Sequence, residues 1–294
     1  MANGVSINPA WALHTTVSRL IGSGEQNIQN AWQTVLGIQP GTVPFIERHT
    51  EIVGLVGLIT ERLNSLPEGT RQKDIYLGYV PQWYDAVVSR NSWGNTQHPP
   101  AQLLPPDSLN LLAGLADYFD FTFGDSRSVL TDDAMQKLRD GLNEWRDLLV
   151  GAGIPAETVN EIRGQVDHLE WMLDNVQLVG NQPIVRGARE LVGTGFSLMA
   201  LKPKVAVTIG GVIMGLLTFL GNVNDGLDVA NGILEGVADL TANVQELAGG
   251  EVPQKELPAA PSGPHIVPEV SNLNAGSDQN VVDAEVVDDD EAAG

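Results

Sequence analysis

The chain has 294 residues, and its 37 acidic and 16 basic side chains give a formal net charge of −21. Such a charge argues against nucleic-acid binding, because nucleic-acid-binding proteins present a basic face to the phosphates. The chain contains no cysteine, which excludes disulfides, thiolate metal sites and cysteine nucleophiles. The first 14 residues have no basic region and no continuous apolar run, so we predict no signal peptide and expect synthesis in the cytosol.

Residues 1–125 are predicted to form an N-terminal helical domain. Apolar residues at helical spacing, bounded by capping residues, glycine and proline, predict four helices: 8–22, 23–37, 42–66 and 107–124. The third carries Gly54 and Gly57, which suggests close packing against a neighbouring helix.

Residues 75–93 are unusually rich in aromatic side chains. Tyr79, Trp83, Tyr84 and Trp93 are candidates for a surface that binds a protein partner, because such side chains combine apolar area with a polar group. The alternative is that they close the core of the N-terminal domain. The proline-rich stretch 91–106 that follows is predicted to be a loop.

Residues 126–182 are predicted to form an antiparallel helical hairpin. Met135, Leu138, Leu142, Trp145 and Leu149 recur at spacings of three and four, and residues 159–176 repeat the pattern after a short turn. Two such stripes joined by a short loop are typical of two helices packed side by side with coiled-coil-like spacing.

Residues 205–224 form the longest uncharged apolar stretch of the chain, within a third helical region predicted over 183–250. About 20 helical residues span roughly 30 Å, the thickness of a bilayer's hydrocarbon core. Lys202 and Lys204 precede the stretch, so the positive-inside rule places its N-terminal side in the cytoplasm if it crosses a membrane. The alternative is a helix buried in the chain's own core.

Gly211 and Gly215 form a small-xxx-small pair within this stretch, which lets a second helix approach closely. The pair therefore predicts helix packing, including association with a second copy of the chain. The uncharged run 191–201 just upstream is too short to span a bilayer alone, since it reaches only about 16 Å as a helix. Pro203 separates the two runs, so together they predict a re-entrant hairpin or a kinked helix.

The C-terminal part is predicted to contain one more amphipathic helix and then an acidic tail. Val229, Ile233, Leu240, Val244 and Leu247 mark the apolar side of the helix, which ends at a Gly-Gly pair. In residues 251–294, ten acidic residues face one basic residue. Such a composition buries too little apolar area to offset the entropy of ordering, so we predict a disordered tail.

No catalytic, metal-binding or cofactor-binding motif is recognisable in the sequence. The five histidines share no metal-ligand spacing, and the chain contains neither a P-loop nor a G-x-S-x-G nucleophile motif. We therefore predict a protein that is not an enzyme and that has no cofactor. An enzyme would need polar groups to converge from separate helices, for example around Tyr84, Trp93 and His98.

These patterns predict an all-α, multi-helix bundle with a helical hairpin, a hydrophobic helix that is either transmembrane or buried, and a disordered acidic tail. The first functional hypothesis is a membrane-associated protein on the cytoplasmic side. Its soluble helices bind a protein partner, and residues 191–224 anchor to or perturb a membrane, as a monomer or as a homo-oligomer. The alternative is a soluble helical-bundle interaction module whose buried central helix is 205–221.

Overall fold

The computed structural model describes residues 4–5, 7–88, 93–123, 130–151, 154–202 and 206–223, and within them the chain is almost wholly helical. The all-α prediction is confirmed. The helices are α1 (Pro9–Ile21), α2 (Ile28–Leu36), α3 (Val43–Asn64), α4 (Arg71–Leu77), α5 (Val80–Val88), a 3-10 turn (Pro100–Gln102), α6 (Pro106–Phe123), α7 (Asp132–Gly151), α8 (Ala156–Asp174), α9 (Val176–Val179), α10 (Asn181–Leu201) and α11 (Ala206–Val223). A two-residue antiparallel strand pair, β1 (Gly4–Val5) with β2 (Leu130–Thr131), ties the N-terminus to the start of α7.

Helix α1 lies at the centre of the bundle and packs against α2, α3, α6, α9 and the 3-10 turn. Asn8 begins the helix, because its side-chain oxygen accepts hydrogen bonds from the backbone N–H groups of Ala10 and Trp11, both at 3.0 Å. The Asn8 side-chain nitrogen donates to the carbonyl oxygen of Ala116 at 2.9 Å and to Asp120 Oδ1 at 2.6 Å. One buried side chain thus both caps α1 and fixes it to α6.

Helix α3 has two glycines that do not pack against the described part of the chain. Gly54 and Gly57 are both exposed, and a Cβ atom built on either would meet nothing within 4 Å. The two glycines predicted close packing against a neighbouring helix, but none of the helices that the structure describes packs closely against Gly54 or Gly57.

Helices α7 and α8 run antiparallel across the turn that joins them. Arg139 pairs with Asp174 at 2.8 Å, and Arg146 pairs with Asp167 at 2.7 Å and with Glu170 at 2.6 Å. These partners lie in opposite order along the two helices, as an antiparallel arrangement requires. The most extensive contacts of α7, however, are with α11 rather than with α8.

Helices α10 and α11 are separate helices that pack against each other. The inward side chains of α11 are enclosed by the chain itself: Ile209 and Ile213 are fully buried, and Leu217 is 2 % exposed. Among the helices that the structure describes, none has the length and apolarity that a membrane crossing requires.

The chain divides at Gly250 into two units, Met1–Gly250 and Glu251–Gly294, and every described residue lies in the first. The predicted helix around 229–247 and the predicted disordered acidic tail both fall outside the described residues. The finer division into domains at 125 and 182 stays a prediction.

Candidate functional site

The four aromatic residues proposed as a partner-binding surface are spread over different environments. Trp83 is fully buried, and its Nε1 donates to the carbonyl oxygen of Ser108 at 3.3 Å. Tyr79 stacks on Trp83 with ring centroids 6.1 Å apart. Tyr84 is 40 % exposed, whereas Trp93 is partly buried in a separate cluster. Since only Tyr84 presents much of its ring, these four residues do not share one accessible surface.

Trp93 belongs to an aromatic cluster around His49, which the sequence reasoning missed. The His49 ring stands edge-on to Trp32 and Trp93, at centroid distances of 4.7 and 5.1 Å, and stacks on Phe45 at 5.7 Å. His49 Nε2 donates to the carbonyl oxygen of Val87 at 3.0 Å, which fixes the proton on that nitrogen. Burial lowers the pKa of His49 below 6.5, and the Val87 hydrogen bond opposes this only in part.

A polar junction joins α3 to α8 and α10, and the sequence reasoning missed it as well. The largely buried carboxylate of Glu51 lies 3.3 Å from His168 Nε2 and 2.5 Å from a guanidinium nitrogen of Arg186. Burial by itself raises the pKa of Glu51, but the hydrogen bonds and charges of His168 and Arg186 outweigh it, so the pKa lies below 4.5. Next to this junction, Arg48 lies 4.9 Å over the ring of Trp171.

The polar junction is suited to holding three helices together rather than to acid–base chemistry. A general acid or base needs a pKa near the working pH, whereas this carboxylate is held ionised by two neighbours. The described residues contain no group of three or more His, Cys, Asp or Glu side chains that could hold a metal ion. His98, named above in the enzyme alternative, is an exposed residue.

The outward side of α3 presents an accessible stripe of aliphatic and small residues, with exposed Glu47 beside it. We call Val43, Ile46, Thr50, Gly54 and Gly57 the α3 outward face. Val43 is 68 % exposed and Ile46 is 57 % exposed, and the other three residues are exposed as well. Their spacing places them along one side of the helix, so they form a continuous strip of roughly 20 Å.

The outward side of α11 is a second uncharged stripe. We call Val207, Gly211, Met214 and Thr218 the α11 outward face. Val207 is 55 % exposed, Met214 is 39 % exposed, and a Cβ atom built on Gly211 would meet nothing within 4 Å. The Thr218 hydroxyl donates to the carbonyl oxygen of Met214 at 2.8 Å, so its polar group is satisfied within the helix.

The glycines that bring helices together in the structure are not the predicted pair. A Cβ atom on Gly195 of α10 would lie 2.8 Å from the Ile213 side chain, and one on Gly141 of α7 would lie 3.1 Å from Leu216. Gly211 faces open space, and a Cβ atom on Gly215 would reach only Glu144, at 3.7 Å. Gly211 therefore lies on the outer side of α11, whereas Gly215 lies at its edge, within van der Waals range of Glu144 of α7.

The structure describes one of the two lysines that precede the hydrophobic stretch. Lys202 forms the C-cap of α10, where its backbone N–H donates to the carbonyl oxygen of Leu198 at 2.9 Å. Lys204 lies outside the described residues.

Comparison with known proteins gives no relative from which a role could be inferred. No family model matches the chain, and neither a curated protein nor a solved structure matches it.

Proposed function

We propose that the chain is a non-enzymatic helical-bundle interaction module that binds a helix of a protein partner on the α3 outward face. The observation that carries this proposal is the alignment of two exposed aliphatic side chains, Val43 and Ile46, with two glycines whose Cβ positions face open space. A partner helix that lays apolar side chains along one helical face uses this kind of spacing. Glycine at positions 54 and 57 lets the partner backbone approach closely.

The charge around the α3 outward face defines the chemistry of the partner. Glu47 and Glu61 are exposed next to or at the end of the strip, and the whole chain carries a net charge of −21. An acidic partner would be repelled, whereas basic side chains that flank an apolar stripe would complement both features. The partner is therefore an amphipathic helix with lysine or arginine at its edges.

Site-specific cross-linking tests this function. A benzophenone amino acid in place of Ile46 should give a discrete cross-linked product in cells that express the full chain, and the same probe in place of Glu157, an exposed residue of α8, should not. The change Gly54→Trp should abolish the Ile46 product without lowering the melting temperature of the isolated chain, because its side chain enters open space. A product that survives Gly54→Trp, or that forms equally from position 157, would refute the assignment of the surface.

The membrane-associated protein of the first hypothesis is a second candidate. It is supported by the uncharged α11 outward face and by Leu201, which is 73 % exposed at the end of α10. The burial of Ile209 and Ile213 weighs against it, because insertion of α11 into lipid would have to replace their contacts with the chain. If α11 enters a bilayer, the full chain should stay with membranes after a carbonate wash, and Val207→Glu should release it.

A further inference from the structure

Helices α4 and α6 together carry a patch of aromatic and acidic side chains. The rings of Tyr76, from α4, and Tyr118, from α6, lie with their centroids 6.2 Å apart, and a Cβ atom built on Gly114 would lie 3.7 Å from the Tyr76 hydroxyl oxygen. Asp117 and Tyr118 precede Phe121 by four and three positions, so both adjoin its ring on the surface of α6. We call Tyr76, Asp117, Tyr118 and Phe121 the tyrosine patch.

The tyrosine patch is accessible to a partner. Phe121 is 89 % exposed, the highest value among the large apolar side chains that the structure describes. Asp117 is exposed, and the two tyrosines are half-buried. Tyrosine and phenylalanine are enriched at protein–protein interfaces, because their rings supply contact area at a low cost in conformational entropy. The patch therefore has the composition of an interaction surface.

The electrostatics of the tyrosine patch favour a cation. Burial raises the pKa of Tyr76, and the neighbouring Tyr118 and Asp117 raise it further, because the three groups bring their oxygen atoms towards one another. Helix α6 contains three aspartates and no lysine or arginine, so the Asp117 carboxylate is not balanced within its own helix. The faces of the two phenol rings are also negatively polarised, and they attract a cation placed over them.

Another side of the same helix already binds a guanidinium group. Arg62 of α3 lies 5.7 Å over the ring centroid of Phe119 and 5.9 Å over that of Phe123. Those two rings point towards α3, whereas the tyrosine patch occupies the side of α6 marked by exposed Asp117 and Phe121. The patch thus repeats the arrangement of neighbouring rings and adds a carboxylate to it.

We propose that the tyrosine patch binds an arginine side chain of a partner protein, with the guanidinium against the two tyrosine rings and its N–H groups donating to the Asp117 carboxylate. An aliphatic residue next to that arginine packs on Phe121. Arginine suits the patch better than lysine, because a planar guanidinium stacks on a ring while it bonds a carboxylate. The inference goes beyond the proposed function and does not rest on it, since the patch lies apart from the α3 outward face.

Charge favours an arginine-bearing protein over two other occupants. A second copy of the chain also carries a net charge of −21, so the two copies repel each other. An anionic lipid surface would bring its headgroups against the exposed carboxylates of Asp117 and Asp120. A basic partner meets neither obstacle, and its arginine gains both the ring contacts and the ion pair.

Fluorine NMR of the full chain labelled with 3-fluorotyrosine tests the proposal, because the chain has only four tyrosines. The probe is a capped peptide of three Leu-Ala-Ala-Arg repeats, and its neutral counterpart carries citrulline in place of arginine. The titration uses Gly54→Trp, whose new side chain blocks the α3 outward face. A failure of the proposed function therefore does not affect the result.

The resonances of Tyr76 and Tyr118 should shift along a saturable curve, whereas those of Tyr79 and Tyr84 should not. Tyr84 is the stricter control, because it is 40 % exposed and yet lies outside the patch. The citrulline peptide should bind about tenfold more weakly, since it lacks the positive charge. Tyrosine-to-phenylalanine variants assign the four resonances.

One charge-removing variant separates a specific site from general attraction to an acidic chain. Asp117→Asn should weaken binding of the arginine peptide about fivefold. Asp147→Asn removes the same charge from an exposed position of α7, so it should leave the affinity unchanged. Equal weakening by the two variants would overturn the proposal.

Three further outcomes would overturn it as well. If the Tyr76 and Tyr118 resonances do not move, or if the citrulline peptide moves them equally, the patch does not bind arginine. A shift of these two resonances with protein concentration alone would assign the patch to a second copy of the chain. A shift on addition of phosphatidylglycerol vesicles, without one on addition of the peptide, would assign it to lipid.

Discussion

The contact between α10, α11 and α7 at Gly195 predicts that one added methyl group is destabilising. In Gly195→Ala the new Cβ atom would lie 2.8 Å from two carbons of Ile213 and 3.1 Å from Cζ2 of Trp145. Both neighbours are fully buried, so neither can move into solvent. Such overpacking costs about 1–3 kcal/mol, whereas the exchange of glycine for alanine in a helix favours folding by about 1 kcal/mol. The free energy of unfolding of Gly195→Ala should therefore be lower than that of the parent chain by about 0–2 kcal/mol.

Gly193 supplies the matched control, because it lies two residues away in the same helix and a Cβ atom there would meet nothing within 4 Å. Gly193→Ala should therefore raise the free energy of unfolding by about 1 kcal/mol. Urea denaturation, followed by the helical circular dichroism signal, should separate the two variants by about 1–3 kcal/mol at unchanged m-value. If Gly195→Ala is as stabilising as Gly193→Ala, the close approach of the three helices at Gly195 is wrong.

Three further predictions concern buried polar contacts. Lys73→Met should lower the free energy of unfolding by about 1–3 kcal/mol in urea titrations. The reason is that the buried Lys73 ammonium group donates hydrogen bonds to two backbone carbonyl oxygens, those of Asn64 at the end of α3 and Leu66 just beyond it. The control Glu68→Gln should change the free energy of unfolding little, because Glu68, the ion-pair partner of Lys73, is exposed. Asn8→Asp should destabilise the chain by placing two carboxylates together, and adding Asp120→Asn should restore much of the melting temperature, because the new amide can donate to the new carboxylate. The pKa of Glu51 is lowered in the folded chain, so its ionised carboxylate stabilises the fold fully above pH 4.5, and this stabilisation is lost as the pH falls toward the folded pKa. In Glu51→Gln the free energy of unfolding should therefore depend less on pH in the acidic range below about pH 5.

Local patterns in the sequence predict most of the described helices. Asn8 caps α1 as expected, and the glycines after α1 and α2 end those helices at Gly22 and Gly37. Thr42 begins the long helix α3, where its hydroxyl accepts a hydrogen bond from the backbone N–H of Phe45 at 3.4 Å. These features depend on residues within one or two turns, so spacing and capping rules are sufficient to identify them.

The candidate sites could not be predicted in the same way, because they depend on contacts distant in the sequence. Glu51 meets His168 and Arg186, which lie 117 and 135 positions further along the chain. The spacing of apolar residues does indicate that α11 has one buried side. It does not indicate which glycines lie at helix crossings, since a small-xxx-small pair has the same spacing whether it faces the core or solvent. Only the placement of the neighbouring helices decides between Gly195 and Gly211.

Hydropathy also does not identify the helix at the centre of the bundle. The stretch around α11 is the most apolar of the chain, whereas α1 contains Trp11, His14, Thr16 and Arg19. Yet α1 is the helix around which five other elements pack, and its polar Thr16 is fully buried. Thr16 is accommodated because its hydroxyl donates to the carbonyl oxygen of Leu178 at 3.2 Å. A helix with satisfied polar groups can thus occupy the core, and its mean hydropathy underestimates its burial.

Open glycines alone do not identify a binding surface, and comparison among the helices shows why. Gly164 and Gly193 face open space just as Gly54, Gly57 and Gly211 do, and each costs its helix about 1 kcal/mol relative to alanine. The first two, however, each have two charged residues three or four positions away, which is typical of a side that stays in water, whereas Gly54 and Gly57 have one each and Gly211 has none. The other three lie in line with exposed aliphatic side chains, so hydration of their surroundings is unfavourable as well. A helix that covered the α3 or the α11 outward face would remove exposed aliphatic surface from water, which favours binding. A helix placed over Gly164 or Gly193 would instead have to displace water from charged side chains.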